Sequence, residues 1–222
     1  MYNIAIDGPA GAGKSTIAKL VAKKLGYIYV DTGSMYRAMA LFCIRNGIKA
    51  EEEEKVVEAC KKCEVTIDYI DGAQQVFLNG ENVNGYIRAE EVSNMTSAIS
   101  VYGPVREKLV ELQRSIAKKQ DVIMDGRDIG TFVLKDAFLK IYLTASSRKR
   151  AERRYKELIE KGVECSLDEI EKDIIDRDYR DMHREISPLT KAEDAELLDT
   201  SDMNIEQVVE AIINLVNIKK SK

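Results

Sequence analysis

The sequence predicts an α/β fold: a parallel five-stranded sheet with helices on both faces, a small inserted antiparallel β lobe and a helical lid. Three observations carry this. Short apolar runs alternate with helical patterns at both ends of the chain. A glycine-rich turn joins the first such run to the first helix. The stretch from about 64 to 87 changes to period-two alternation punctuated by Asp71-Gly72 and Asn79-Gly80, which are strong hairpin signals.

The elements follow in order. Tyr2 to Asp7 is an apolar strand. Gly8-Pro9-Ala10-Gly11-Ala12-Gly13-Lys14-Ser15 fits G-x-x-x-x-G-K-[S/T], and Ile17, Leu20, Val21 and Leu25 continue it as one helix face. Such a turn points successive backbone N–H groups inward at a helix N-terminus, so it wraps a polyphosphate. Lys14 would reach the terminal phosphates and Ser15 would offer a hydroxyl to magnesium. Tyr27 to Val30 is the second strand, and Thr32 or Ser34 is placed to cap the next helix. There a hydroxyl, helical N–H groups and Arg37 could surround a second anion.

The inserted meander runs through Val65 to Ile70, Gln75 to Leu78 and a last run to Val83. Gly103-Pro104 starts a helix with Val105, Leu109, Leu112 and Ile116 on one face. Val122 to Met124, Phe138 to Leu143 and Glu196 to Asp199 supply the remaining strands. Ser166 to Glu169 reads as a capping box, and Asn204 to Gln207 resembles another. The latter opens a helix with Ile205, Val208, Val209 and Ile212 facing the core. Lys219 to Lys222 reads as a frayed tail. The domain reading is one domain over 1–222, with 1–45 and 105–222 as core, 46–104 as inserted lobe and 146–165 as lid.

Ligands gather at the carboxyl ends of the strands in such sheets, where the glycine-rich turn, Asp31 and Asp125 all fall. Asp125 sits where an acidic group assists magnesium in phosphate-loop proteins. Arg127 can neutralise phosphate, and Asp128 can accept from an amino group. Five basic residues lie between Arg148 and Arg154; beside a nucleotide they suit a lid, since the arginine fork binds phosphate oxygens at two points. Arg177, Asp181 and Arg184 fall on one helical face. His183, the single histidine, is read as a surface residue. No catalytic base is needed for attack by a phosphate monoester, whose second pKa lies near 6.

The formal net charge of −4 and the absence of a long apolar run argue against nucleic-acid and membrane partners. With a strand starting at Tyr2, no signal peptide is expected, and the expected location is cytoplasmic. Cys60 and Cys63 have C-x-x-C spacing but read as ordinary reduced cysteines near a helix end.

Taken together, GPAGAGKST at 8–16, DTGSMYR at 31–37, SVYGPVRE at 100–107, DGRDIGT at 125–131, SSRKRAERR at 146–154 and DRDYRDMHREISPL at 176–189 resemble the bacterial cytidylate kinases with a long monophosphate-binding insertion. The resemblance implies transfer of the terminal phosphate of ATP to CMP or dCMP with Mg2+; a monomer is the expected state. It implies that Gly8, Pro9, Ala10, Gly11, Ala12, Gly13, Lys14, Ser15 and Thr16 hold ATP phosphates, and that Arg150 also binds ATP. Thr32, Arg37, Arg127 and Arg184 would hold the CMP phosphate, and Ser97, Arg106 and Asp128 would read cytosine. Arg177 and Asp181 would contact the sugar, while Arg150, Arg153 and Arg154 would belong to the lid. Lys14, Asp125, Arg127, Arg153 and Arg154 would be the catalytic set. Several family members have Gly-Thr after the loop lysine where this chain has Ser15-Thr16, so Ser15 or Thr16 would serve the magnesium, directly or through water, with Asp125 acting through water. Thr32 stands where a serine is common. The alternatives are a phosphate-loop kinase for AMP, UMP or shikimate, and a nucleotide sensor without turnover.

Overall fold

The computed structural model describes residues 1–221. Five strands form one sheet: β1 (Ile4–Asp7), β2 (Ile28–Asp31), β6 (Val122–Gly126), β7 (Leu139–Thr144) and β8 (Glu196–Asp199), in the order β2-β6-β1-β7-β8. The expected sheet is therefore present, with each strand within a few residues of its anticipated bounds. Ile4, Ala5 and Ile6 are wholly buried, as a central parallel strand covered on both faces requires. Register brings Ile6 beside Asp125 and Asp7 beside Gly126, so the turns after β1 and β6 leave the same edge of the sheet.

The chain divides into two compact units, residues 1–27 with 121 onward, and residues 28–120. In the first, α1 (Lys14–Leu25) buries Ile17, Ala18, Val21 and Ala22. Leu20, expected on that face, is exposed, because the two alanines move the contact stripe round the helix. One π-helical turn, Ile129–Val133, follows β6. It was not foreseen, and such turns cluster at functional sites. The helices α6 (Ser147–Glu160), α7 (Leu167–His183) and α8 (Ile205–Lys220) complete the unit. Asn204 and Gln207 close a full capping box on α8. Ile205 is exposed rather than core-facing, since it is the first helical residue. Lys219 and Lys220 are helical, not frayed, and the Lys220 ammonium sits 4.7 Å over the Tyr2 ring and 5.4 Å over the Tyr27 ring. Lys222, the end of the expected tail, lies outside the described residues.

The second unit holds α2 (Thr32–Arg45), α3 (Glu53–Lys62), the meander β3 (Val65–Ile70), β4 (Ala73–Leu78) and β5 (Glu81–Asn82), then α4 (Glu90–Ile99) and α5 (Gly103–Ala117). The meander is antiparallel in the order β3-β4-β5. Its two turns place Asp71 and Gly72, then Asn79 and Gly80, at positive φ, the geometry that joins twisted antiparallel strands most tightly. Cys60 and Cys63 lie at the end of α3 and are buried, and Lys108 Nζ donates to both of their carbonyls. The core face of α5 is Val105, Leu109, Val110, Gln113 and Ala117; Leu112 and Ile116 are only half-buried.

Candidate functional site

In the first unit the turn after β1 is a phosphate loop in geometry as well as in sequence. Gly8, Gly11 and Gly13 all have positive φ. At Gly8 a Cβ would lie 2.0 Å from the Leu143 carbonyl oxygen, so only glycine lets the loop pass β7. Helix α1 starts at Lys14 with no side-chain cap and no acidic residue in its first turn, which leaves its first N–H groups available to an anion. Lys14 is buried, and its Nζ donates to Gly8 O at 2.7 Å and Pro9 O at 2.8 Å. Burial pushes the Lys14 ammonium well below the usual lysine range, and the Arg127 charge pushes it further; Asp125, Asp7 and Asp181 act in the opposite sense.

Ser15 Oγ donates to Asp125 Oδ2 at 2.8 Å. Of the two hydroxyls left open by the sequence, Ser15 is thus the one set against the carboxylate near the end of β6. Asp7 was missed. It is buried and accepts from Ile129 N at 2.8 Å and Gly130 N at 2.7 Å, fixing the start of the π-helical turn. Burial raises its carboxyl to about 6 despite these two hydrogen bonds. A signal was present: a single charged residue closing an otherwise apolar strand. Among the described residues no group of three or more His, Cys, Asp or Glu could hold a metal ion.

Past β6, Arg127 Nε donates to Asp181 Oδ2 at 2.8 Å. Burial alone would raise the Asp181 carboxyl, but the charges of Arg127, Arg177 and Arg184 and the Arg127 hydrogen bond bring it below the usual range. Asp128 is buried, with Arg184 Nη2 at 3.7 Å. Arg184 was expected on the helical face of Arg177 and Asp181. It instead follows α7 in extended conformation, and its Nε donates to Ser187 O at 2.7 Å.

The basic run lies on α6, with its members in different employments. Arg150 is buried and engages Ala145 O, Ala10 O and the Asp178 carboxylate. Arg153 donates to Thr200 O at 2.6 Å. Arg154 is exposed beside Glu157. His183 is exposed and stacks on Tyr179.

In the second unit the residue before α2, Asp31, caps it by accepting from Ser34 N at 3.0 Å. The cap was expected from Thr32 or Ser34. Thr32 is instead the first helical residue, and the Ser34 hydroxyl donates to Asp31 O. Gln74 of the meander, which the sequence did not single out, accepts from Asp31 N and donates to Ser34 Oγ at 2.7 Å and to Asp31 O. Gly33 leaves room for Arg37, whose Nη1 would lie 3.3 Å from a Cβ there. Arg106 is buried; its Nη1 donates to Ser100 O at 3.3 Å, and its guanidinium lies 5.8 Å from the centre of the Tyr36 ring. Ser97 is exposed on α4, and Ser100 Oγ donates to its carbonyl at 3.1 Å.

Comparison with known proteins adds an independent line. The family model described as cytidylate kinase matches residues 4–218. A cytidylate kinase of Caldicellulosiruptor saccharolyticus is 51% identical over 213 residues, covering 96% of this chain and 94% of its own. One from Desulfitobacterium hafniense is 52% identical over 216 residues, covering 97% and 93%. Among solved structures, a sugar kinase from Janibacter sp. HTCC2649 is 13% identical with a TM-score of 0.50, covering 98% of this chain and 95% of that one; that likeness concerns the fold alone.

Proposed function

The chain belongs to the cytidylate kinase family and phosphorylates CMP and dCMP with ATP as donor; we propose that it does so by direct in-line attack of an acceptor phosphate oxygen, with alignment and charge neutralisation as the protein's contribution. The observation that carries this is the turn after β1: Gly8, Gly11 and Gly13 sit at positive φ, and α1 opens at Lys14 with no side-chain cap. A helix start of this kind, with a lysine at its first position, offers converging N–H donors and a charge to a transferring phosphoryl group.

The roles follow from each group's chemistry. Gly8 to Thr16 cradle the ATP phosphates, with Lys14 turning from its loop carbonyls to the terminal phosphates. Arg150 acts on ATP through the loop residue it holds, and Arg153 and Arg154 neutralise charge from a lid spanning 146–165. Thr32, Arg37, Arg127 and Arg184 take the CMP phosphate. Arg177 and Asp181 hold the sugar. Ser97, Arg106 and Asp128 read the base, with Asp128 accepting from the cytosine amino group. The segment 46–104 is the monophosphate-binding lobe of a monomeric, cytoplasmic enzyme.

One hydroxyl beside one carboxylate suits an ion that keeps most of its ligands as water and phosphate oxygens, as Mg2+ does. Ser15 and Asp125 would hold it, Asp125 through water, and when bound it would neutralise charge on the phosphates of ATP. No general base is required, because the acceptor phosphate is mostly dianionic at neutral pH. Arg127 therefore has to bind that dianion while its bond to Asp181 keeps the guanidinium oriented.

The test is a coupled ADP-release assay with CMP, dCMP, UMP and AMP on the wild type and Asp128→Ala. The expected result is a loss of about 10² or more in kcat/KM for CMP and a much smaller one for UMP, since a site built around a hydrogen-bonding group discriminates strongly. Equal losses would remove Asp128 from base recognition.

A further inference from the structure

The phosphate loop is held at one residue by two groups: Arg150, expected from sequence as an ATP-binding arginine of the lid, and Asp178, which was not among the candidate site residues. Ala10 N donates to Asp178 Oδ1 at 3.3 Å. Ala10 O accepts from Arg150 Nη1 at 2.8 Å. The two holders are themselves an ion pair, Arg150 Nη2 to Asp178 Oδ2 at 2.7 Å, with side chains only 6% and 12% exposed. Arg150 Nε is anchored in turn to Ala145 O at 2.9 Å, just past β7. Arg150 also packs beside the next loop residue: a Cβ on Gly11 would be in ordinary contact with Arg150 Cβ at 3.4 Å and Ile174 Cδ1 at 3.8 Å.

A buried ion pair is a poor way to add stability, because desolvation consumes most of the attraction and a packed apolar pair serves as well. What it supplies is direction. Here the donor fork and the carboxylate fix the N–H and the C=O of one peptide residue at once, which sets the orientation of the loop backbone on both sides of Ala10. The loop's function depends on that orientation, since its N–H groups must converge on a polyphosphate.

We propose that Asp178 and Arg150 form a positioning pair for the donor nucleotide: they touch no reacting atom, and they hold the Ala10 peptide in the orientation that lets Gly8 to Thr16 bind the ATP phosphates. This rests on the reading of that loop as the ATP site. The pair also ties the loop to the helix that carries the acceptor-side groups. Asp178 and Asp181 are both on α7, and Asp181 holds Arg127, so one helix sets the donor loop and the orientation of an acceptor arginine.

The experiment compares wild type, Asp178→Asn, Asp178→Leu, Arg150→Met and the double variant Asp178→Leu/Arg150→Met. Three readouts are taken: affinity for ADP in the presence of magnesium by calorimetry, KM for ATP and for CMP, and Tm. For Asp178→Leu we expect ADP affinity and kcat/KM for ATP to fall by about 10²-fold, with KM for CMP within about twofold, as a small misplacement of a binding group produces. Asp178→Asn keeps the shape and one acceptor oxygen, so its loss is smaller, and it serves as the folded variant should Asp178→Leu melt. The double variant loses no more than the worse single one, because the two residues act as a unit. The proposal is overturned by a lowered Tm with ADP affinity unchanged in the folded variants, or by equal rises in KM for ATP and CMP. Absence of CDP formation by the wild type would instead sink the proposed function, while the ADP arm would still judge the pair.

Discussion

Two strands of the sheet end in the same residue and use it in opposite ways. Strand β1 ends at Asp7 and β2 at Asp31, and each is followed closely by a helix. Asp31 caps its own helix, taking the Ser34 N–H. Asp7 instead takes the Ile129 and Gly130 N–H groups. The result is one helix start closed by a side chain and one left open. A helix start offers unpaired donors and partial positive charge to whatever reaches it first. At α2 that is the protein's own carboxylate; at α1, with a glycine at the cap position and no acidic residue in the first turn, the donors are left for a phosphate. This sharpens the reading of the two anion sites. The groups proposed for the donor phosphates are backbone N–H groups and Lys14, whereas those proposed for the acceptor phosphate are side chains: Thr32, Arg37, Arg127 and Arg184.

The comparison breaks most visibly at Lys14. Lys14→Ala should lower kcat by about 10²–10³, as loss of a preorganised charge-stabilising donor does, with KM for CMP nearly unchanged. The coupled assay reads this directly, and near-normal turnover would mean that the open helix start is not the catalytic one.

Next in size is Asp7. Its carboxyl is raised from 3.8 to about 6 by burial. The folded state therefore binds more protons than the unfolded state between those values. The Asp7 contribution to stability falls as pH rises through that window, by roughly 3 kcal/mol in all. A carbon-13 titration of its side chain should show a midpoint near 6; an ordinary aspartate midpoint would show that burial does not dominate at Asp7 and would remove this pH-dependent contribution.

Gly8→Ala should destabilise the fold by about 2 kcal/mol or more, since the backbone there sits at φ 152, a region costly to any other residue. The added Cβ would also meet the Leu143 carbonyl oxygen. A drop in Tm measures it, and an unchanged Tm would mean that the loop does not pass β7 so closely. The smallest effect belongs to the closed helix start. Asp31→Ala should cost about 1 kcal/mol, the ordinary value of a lost N-cap, seen as a lower urea midpoint with an unchanged slope. Asp31→Ser should restore most of it. A fall in kcat as large as that of Lys14→Ala would contradict the assignment of Asp31 to capping alone.

Much of this was legible in the chain. The phosphate loop, the two positive-φ turns of the meander, the Pro104 helix start and the Asn204 capping box each depend on residues within about seven positions of one another, and each stands where the pattern put it. Side-chain employment was less legible. Arg150 looked like a lid arginine among its basic neighbours, but it is the member of that run turned inward against Ala10 and Asp178. Gln74 carried no motif, yet it braces the start of α2 through three hydrogen bonds.

The sequence by itself determined the order of strands and helices, the glycine turn able to wrap phosphate, and the stock of arginines and aspartates beside it, because backbone preference and hydrophobic period act over one or two turns. Packing of distant segments set Ser15 against Asp125, brought Asp7 to the amides after Asp128, and turned Arg150 to the loop rather than the solvent. Those partners lie more than a hundred residues apart in the chain. Their meeting depends on β6 and β7 flanking β1 in the sheet, and no local rule encodes that neighbourhood.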